Sequence, residues 1–412
     1  MSAAVASLLA LFLAIAVSCF APINVGFVAI ALAFLTGHYW GGLTIAEIAA
    51  GFPNSLFLTL VGVTLLFSLA GVNGTLEKVA GHAVRLARGN RGVVPIVFFL
   101  LAVLLGASGA GGIAAVALLA PIGMSLAAGL NISPFLMALM LANGGNAGTF
   151  SPIAPTGIIA RDLMGRAGLH GVEWANFFNT LGVQSLIAFA GYFLLGGWKL
   201  FQGGAHHAAA IEPVEPFTRA QQSTLVTIGA VILSVFVLGV DVAVAAFLGA
   251  GVLSALRAAD EERAVKAMPW GVILMICGFT VLIGVLGKTG GMALFTGLLA
   301  RISGPQSITG AMALITGAIS VYSSSSGVVM PAFLPAIPGL IEKLGGGNPL
   351  AIAYAINVSA HLVDASPLST NGALCLACVP AEADRRALFR KMLAWGLSMT
   401  VVGGVVCQLL WG

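Results

Sequence analysis

The stretch Ser151-Pro152-Ile153-Ala154-Pro155-Thr156-Gly157 has a counterpart later in the chain, Ser366-Pro367-Leu368-Ser369-Thr370-Asn371-Gly372. The two stretches lie 215 residues apart (366 minus 151), about half of the 412-residue sequence. Each is a polar interruption, broken by proline, inside apolar helical sequence. A bilayer tolerates such backbone only where the backbone lines a cavity or is buried in protein. The two halves of the chain therefore carry matching breaks.

The same offset relates two further pairs of positions. Ser133-Pro134 corresponds to Asn348-Pro349, and Ser108, in a Gly/Ser-rich stretch, corresponds to Ser323 in another. Paired interruptions at matching positions in two halves mark the binding site of many secondary transporters. The pattern therefore predicts a secondary transporter built from two repeats.

The composition is that of a membrane protein. Hydrophobic residues make up 59% of the chain and charged residues 8%. Apolar runs long enough to cross a bilayer, which takes about 20 residues, recur throughout. The sequence shows no nucleic-acid-binding pattern, and no paired acids, His/Ser dyad or metal cluster indicates an enzyme. The five cysteines are scattered and suggest no disulfide framework. We expect a polytopic membrane protein that is not an enzyme.

The apolar segments predict an all-α polytopic membrane protein with two inverted repeats. Each repeat holds five transmembrane spans plus one re-entrant hairpin, with broken helices at mid-membrane. Residues 1–198 form the first inverted repeat, 199–222 a cytoplasmic linker and 223–412 the second inverted repeat. Because an odd number of crossings reverses the second copy, the repeats are expected to have opposite orientations.

Glycine- and serine-rich tips mark the two predicted hairpins. The first hairpin covers residues 93–130 with its tip at Ala107–Gly112, and the second covers 309–340 with its tip at Tyr322–Gly327. The absence of charge at the tips favours hairpins that turn inside the membrane. For the first, a single glycine-kinked crossing or two short full spans are alternatives.

Helix-start signals place the first broken helix. Ser133 is a predicted N-cap and Pro134 the first helical residue. The helix Phe135–Ala142 is expected to stop at Asn143, and the polar interruption to extend to Gly157. The corresponding helix of the second half begins at Asn348-Pro349.

Lysine and arginine predict the orientation, because cytoplasmic loops collect them. With the amino terminus outside, 13 of the 18 cations lie inside and 5 outside. The basic amphipathic stretch Gly74–Arg91 is expected to lie along the inner membrane surface. We expect the cytoplasmic (inner) membrane of a bacterium. The inside cations are Lys78, Arg85, Arg88, Arg91, Lys199, Arg219, Arg257, Arg263, Lys266, Arg385, Arg386, Arg390 and Lys391; the outside ones are Arg161, Arg166, Lys288, Arg301 and Lys343.

The predicted binding site contains no basic side chain, because no lysine or arginine falls inside a predicted span. An anion would have to be held by half-helix N-termini, backbone N–H groups and hydroxyls, all of which the tips and breaks supply. The predicted substrate-binding residues are Ser108, Gly111, Gly112, Asn143, Asn146, Thr149, Ser151, Pro152, Thr156, Ser325, Ser326, Gly327, Ser366, Pro367, Ser369, Thr370 and Asn371.

Two ionisable side chains, His361 and Asp364, fall deep in the predicted membrane region. They are three residues apart on one helical face, and an intramembrane carboxylate is a functional candidate. A carboxylate beside an anion needs a cation or proton, so both residues are predicted to couple ions. Alternatively, Asp364 caps the broken helix with His361 as its partner. No cofactor is expected besides Na⁺ or H⁺ as coupling ion, with Na⁺ near Asn146, Gly148, Asp364 and Ser366.

Several stretches resemble the malonate/dicarboxylate carriers of the MatC type. They are Ser133–Ala138, Asn143–Gly157, Tyr322–Pro338 and His361–Ser369. These carriers belong to an ion-transporter superfamily that includes divalent-anion/sodium symporters. The resemblance implies a homodimer with scaffold and transport domains. It also implies cation-coupled transport of malonate- or succinate-like di- and tricarboxylates by an elevator-type shift.

The hairpin tips differ from those of the sodium-coupled relatives, which read Ser-Asn-Thr. Here the matching positions are Gly111-Gly112-Ile113 and Ser325-Ser326-Gly327. Alternative functions are a Na⁺/H⁺ antiporter or another ion permease of the superfamily, or the membrane subunit of a multi-component carboxylate uptake system. The expected partners are a small carboxylate, the lipid bilayer and a second copy of the chain, with no nucleic acid.

Overall fold

A computed structural model describes residues 1–21, 23–84, 90–201, 215–379 and 384–412, and these form helices and turns without a strand. In this part of the chain, nine segments are long and apolar enough to cross a membrane. The prediction of an all-α polytopic membrane protein is therefore confirmed. The helices are α1 Ala3–Phe20, α2 Val25–Tyr39, α3 Ile45–Ala49, α4 Asn54–Val72, α5 Thr75–Val84, α6 Val93–Leu105, α7 Gly112–Gly129, α8 Pro134–Gly148, α9 Pro155–Arg166, α10 Glu173–Leu194, α11 Arg219–Leu238, α12 Val242–Ala255, α13 Glu261–Ala267, α14 Trp270–Lys288, α15 Gly291–Arg301, α16 Ile308–Ser320, α17 Met330–Phe333, α18 Ile337–Leu344, α19 Pro349–Leu362, α20 Thr370–Ala377 and α21 Arg385–Trp411.

The hairpin of α6 and α7 begins and ends at one end of the helix bundle. Arg91, just before α6, donates from Nη2 to the carbonyl of Asn131, just after α7, at 2.8 Å. At the same end, the Tyr192 hydroxyl lies 2.9 Å from the carbonyl oxygen of Gly92 and 2.8 Å from that of Gly197, and shares its one proton between them. Because its two ends meet, the chain returns to the end from which it entered, which excludes a single kinked crossing. Each limb is long and apolar enough to cross a membrane alone, so the turn inside the membrane stays a prediction. We call this end the basic end.

The second hairpin, from α16 through α18, begins and ends at the other end. Gly347, after α18, packs beside Ile308 at the start of α16. Helix α21 starts at the basic end and spans the bundle, since 27 residues extend about 40 Å. Near its far end, Gln408 accepts a hydrogen bond from the Gly310 N–H at 2.8 Å. The two hairpins therefore enter from opposite ends.

The first broken helix is longer than predicted, and the expected stop at Asn143 is wrong. Helix α8 continues through Asn143 to Gly148, and the Asn143 amide donates to the carbonyl of Leu139 within the helix at 2.8 Å. A Cβ at Gly144 would lie 2.6 Å from the carbonyl oxygen of Phe99 in α6. These glycines let two helix backbones touch, so here they promote packing and do not end the helix.

The second broken helix starts as predicted. The Asn348 side chain accepts from the N–H groups of Leu350 and Ala351, so it caps α19. Helix α19 ends at Leu362, and a 3₁₀ turn, Val363–Ala365, leads into the break. At the start of α8, by contrast, Ser133 is the N-cap residue without a side-chain cap bond.

The two halves share local geometry at their breaks. Gly157 packs against the carbonyl oxygen of Ser151, and Gly372 packs against that of Ser366. The inverted relation between complete repeats stays a prediction. Arg85, Arg88 and residues 202–214 of the predicted linker lie outside the described residues.

Candidate functional site

The two hairpin tips and the two breaks enclose one cavity of about 40 Å³. It has room for a few waters, since one water needs about 10–15 Å³ on this measure. Segments 151–157 and 366–372 both contribute to its wall, through Thr156 and through Ser369–Asn371. The lining residues are Gly112, Ile113, Asn146, Thr149, Thr156, Ser323, Ser324, Ser325, Ser326, His361, Asp364, Ser369, Thr370 and Asn371.

Some of the predicted substrate-binding and sodium-binding residues do not line this cavity. Ser108 lines a separate apolar cavity and donates to the carbonyl of Leu105 at 2.9 Å. Ser366 is buried in its turn, where its hydroxyl accepts from the N–H of Leu368. Side chains that close a turn point back to their own backbone, and sequence spacing does not reveal this. The predicted binding and sodium residues outside the lining are Ser108, Gly111, Asn143, Gly148, Ser151, Pro152, Gly327, Ser366 and Pro367.

Three lining residues are additions to the predicted set. Ser323 and Ser324 belong to the stretch recognised as the second tip, so the run of four serines was a usable signal. Ile113 matched the tip position of the sodium-coupled relatives but was left out of the binding set because its side chain is apolar. Ser18 of α1 contacts the wall from outside, with its hydroxyl 2.6 Å from that of Ser323.

The first half of the chain contributes neutral groups. The Gly112 N–H, at the start of α7, donates to the Thr149 hydroxyl at 3.3 Å. Thr149 in turn donates to the Thr156 hydroxyl at 3.0 Å. Gly112 lies so close to α8 that a Cβ there would be 2.7 Å from the carbonyl oxygen of Gly145. This side of the cavity can therefore offer backbone N–H groups and hydroxyls to an anion.

The second half contributes the carboxylate. The Ser325 hydroxyl lies 2.9 Å from Asp364 Oδ1 and 2.9 Å from the carbonyl oxygen of Ala360. Ser369 donates to the main-chain carbonyl of Asp364. The Asp364 carboxylate is thus held by the second tip, and its remaining oxygen lone pairs are available to a cation or a proton.

Asparagine side chains join the two broken helices. Asn146 of α8 donates to the carbonyl of His361 in α19 at 2.8 Å, and Asn371 donates to Asn146 Oδ1 at 2.9 Å. The His361 Nδ1 lies 2.8 Å from the carbonyl of Asn357. Since a carbonyl only accepts, Nδ1 carries the proton, and Nε2 is the acceptor nitrogen of the neutral ring. No described bond pairs His361 with Asp364, so the alternative that they cap the break together lacks support.

Four helical N-termini converge on the cavity. They belong to α7, α9, α20 and the helical turn Ser325–Val329 that leads into α17. Each places the partial positive charge of a helix start at the cavity wall. Some of the N–H groups are capped by hydroxyls, as Gly112 is by Thr149 and Gly327 by Ser324. Among the lining residues the ionisable side chains are His361 and Asp364, without a lysine or arginine. The described part of the chain holds no cluster of three or more His, Cys, Asp or Glu that suits a metal. An ion here would be bound by hydroxyl, amide and carbonyl oxygens and one carboxylate.

Comparison with known proteins relates the chain to transporters. Residues 1–149 match the family model for the N-terminus of the dicarboxylate carrier protein MatC. The uncharacterized transporter Rv2685 of Mycobacterium tuberculosis (strain ATCC 25618 / H37Rv) is 28% identical over 257 residues, 58% of this chain and 58% of that protein. The uncharacterized transporter Rv2684 of the same strain is 28% identical over 255 residues, 58% and 57% of the two chains. The matches thus span less than two thirds of these relatives.

A solved structure shows the fold. The Alcanivorax borkumensis YdaH transporter matches with a TM-score of 0.61 over 98% of both chains, at 16% sequence identity. The family and the relatives matched are transporters and not enzymes. The chain is an integral membrane protein with the fold of the YdaH transporter, and its resemblance to the MatC-type carriers is confirmed over residues 1–149.

Proposed function

We propose that the protein is a secondary active transporter of small dicarboxylates of the malonate or succinate type, driven by Na⁺ or H⁺. The observation that carries the proposal is the cavity where four helical N-termini meet beside one carboxylate, without a basic side chain. Such termini bind anions through N–H groups and the helix dipole. The name of the matched family supports a dicarboxylate as the anion.

The neutral groups are assigned to the substrate. A substrate carboxylate would accept hydrogen bonds from the N–H groups at the start of α7 and α9 and from the Thr149 and Thr156 hydroxyls. A second carboxylate would reach the serines of the second tip and the start of α20. Two separated sets of donors suit an acid with two carboxylates better than a monocarboxylate.

The coupling ion is assigned to Asp364. A substrate anion beside an ionised carboxylate is repelled at low dielectric. Binding therefore requires that a cation or proton neutralise Asp364 first or at the same time. This order of events links the substrate to the ion, because each increases the affinity for the other.

An elevator-type shift is proposed for the movement. Both tips lie against helices that belong to neither hairpin, with Gly109 beside Phe67 of α4 and Gly327 beside Met275 of α14. The cavity is too small for a dicarboxylate as it stands, so the tips must part for loading. A homodimer, a bacterial inner membrane and an external amino terminus complete the proposal.

The test is uptake by the purified protein in liposomes. Labelled malonate, succinate and citrate are offered under an imposed Na⁺ or H⁺ gradient, with acetate as the monocarboxylate control. We expect accumulation of a dicarboxylate under one gradient and its collapse when an ionophore dissipates that gradient. Uptake no greater than in protein-free liposomes for all three acids, from protein that elutes as a single folded species, would contradict the proposal.

A further inference from the structure

A second cavity lies at the basic end, away from the candidate transport site. It is an open surface cavity of about 630 Å³ between α20 and the first turns of α21. Its lining residues are Leu376, Arg385, Arg386, Phe389 and Arg390. Three guanidinium groups thus surround a space that also has an apolar wall.

The charge around this cavity is strongly positive. From residue 384 to 391 the chain carries Arg385, Arg386, Arg390 and Lys391 against the single carboxylate of Asp384. Three ion pairs occur among the described residues, and none uses these arginines. Asp384 is engaged as the N-cap of α21, accepting from the Ala387 N–H at 2.9 Å. Glu382, the neighbouring carboxylate on the amino-terminal side of Asp384, lies outside the described residues.

The cavity lies where a bilayer surface would be. Helix α21 continues from these arginines into an apolar segment long enough to cross a membrane. Trp198, half exposed beneath the Lys199 ammonium, lies at the same end of the bundle, and tryptophan favours the membrane interface. Basic residues at this depth meet lipid headgroups, and the apolar wall of Leu376 and Phe389 would meet the start of the acyl chains.

We infer that this cavity binds the headgroup of an anionic phospholipid. Arg386 and Arg390, one turn apart and both exposed, would hold the phosphate oxygens, since guanidinium groups donate two parallel hydrogen bonds to phosphate. Arg385 donates to the carbonyl of Val379 at 2.8 Å and ties the cavity to the end of α20. The start of α20 lines the transport cavity, so a bound lipid would fix the helix that carries Thr370 and Asn371.

The test measures lipid retention and does not depend on transport. Purified protein is exchanged into micelles containing phosphatidylglycerol or phosphatidylcholine, and bound lipid is counted by native mass spectrometry. We expect preferential retention of phosphatidylglycerol that weakens as salt is raised, because exposed charges are screened. In the double variant Arg386→Gln/Arg390→Gln, affinity for this lipid should fall roughly tenfold to thirtyfold, as expected for the loss of two cations at an anionic surface.

A matched control removes two cations from the opposite end of the bundle, as Arg301→Gln/Lys343→Gln, and should retain the lipid as the unaltered protein does. Equal retention of both lipids by the unaltered protein, or full retention by the Arg386/Arg390 variant, would overturn the inference. Displacement of the lipid by millimolar malonate or inorganic phosphate would also overturn it, because the cavity would then be an entrance for free anions. If the double variant fails to fold, the salt dependence in the unaltered protein still decides the outcome.

Discussion

The two hairpin tips line the same cavity with different chemistry. The first tip, Ala107–Gly112, contributes backbone: Gly109 and Gly111 have φ angles of 118° and 84°, which only glycine adopts easily. The second tip, Tyr322–Gly327, contributes serine hydroxyls, and that of Ser325 donates to Asp364. The first tip lets a main chain approach a ligand, whereas the second orients an ionisable group.

The two breaks differ in the same way as the two tips: one contributes neutral side chains and the other ionisable ones. At the offset of 215 residues, Asn146 corresponds to His361 and Thr149 corresponds to Asp364. All four line the cavity. The two breaks thus contribute a neutral half-site and an ionisable half-site. Under the proposed function, the first binds the anion and the second binds the ion that drives it. The predictions below test this division.

The largest effect is expected from fixing the second tip to α1. The hydroxyl oxygens of Ser18 and Ser323 lie 2.6 Å apart, so the two side chains point at each other, as the partners of a disulfide must. In the variant Ser18→Cys/Ser323→Cys, with Cys19→Ala to remove the neighbouring thiol, oxidation should stop both net uptake and exchange. Reduction should restore them. The measurement is uptake before and after oxidant, with cross-linking verified by mass spectrometry.

Each single cysteine variant serves as the control and should be insensitive to oxidant. If the cross-linked protein transports as fast as the reduced one, the second tip does not leave α1 during transport. The first tip, which has no such hydroxyl contact in the described structure, would then be the gate.

The next prediction compares one variant in each half-site. In Asp364→Asn the carboxamide keeps its place beside Ser325 but needs no cation, so concentrative uptake should be abolished while exchange of substrate across the membrane persists. Thr149→Val at the equivalent position removes a neutral hydroxyl. Its net contribution of about 0.5–1.5 kcal/mol predicts a KM raised roughly threefold to tenfold, with the accumulation ratio unchanged.

Both variants are measured in liposomes as uptake against a gradient and as counterflow at equal concentrations. Unchanged ion-driven accumulation by Asp364→Asn would show that coupling lies elsewhere. Loss of coupling in Thr149→Val would show that the two half-sites are not functionally distinct.

Sequence alone predicted the elements that break the membrane pattern. Proline and polar residues within apolar helices are visible without a structure, so both tips and both breaks were located, and Asn146, Thr149 and Asp364 do line the cavity. The assignment of the cations to the inside and the outside, by contrast, stays a prediction.

Features set by packing could not be predicted in this way. Ser18 meets Ser323 across 305 residues of sequence, and no local pattern encodes that contact. Asn143 was taken for a helix end because glycine follows it, yet Gly144 and Gly148 serve close contact with α6. Ser151 and Ser366 have the right residue type but are buried in their own turns. Side-chain direction in a turn depends on backbone angles that residue type does not specify.

The smallest effect on coupling is expected from a comparison of one glycine from each tip, Gly112 and Gly327, which are equivalent at the same offset. A Cβ at Gly112 would lie 2.7 Å from the carbonyl oxygen of Gly145, which is backbone and cannot move aside. A Cβ at Gly327 would overlap the terminal methyl of Met275, which is the end of a flexible side chain, and would lie 2.9 Å from the Ser324 hydroxyl oxygen. Gly112→Ala should therefore cost about 1–3 kcal/mol of stability and slow uptake, while Gly327→Ala should stay close to the unaltered protein in both.

Thermal unfolding of the purified variants and their initial uptake rates give the measurement, with membrane expression as the control for yield. A Gly327→Ala protein that is as impaired as Gly112→Ala would mean that both tips need a bare backbone against their neighbours. Tolerance of both alanines would mean that α6 and α7 can shift relative to α8. Either result would contradict the difference between the two tips. That difference requires that Gly112 of the first tip contact main chain and that Gly327 of the second tip contact a side chain that can move.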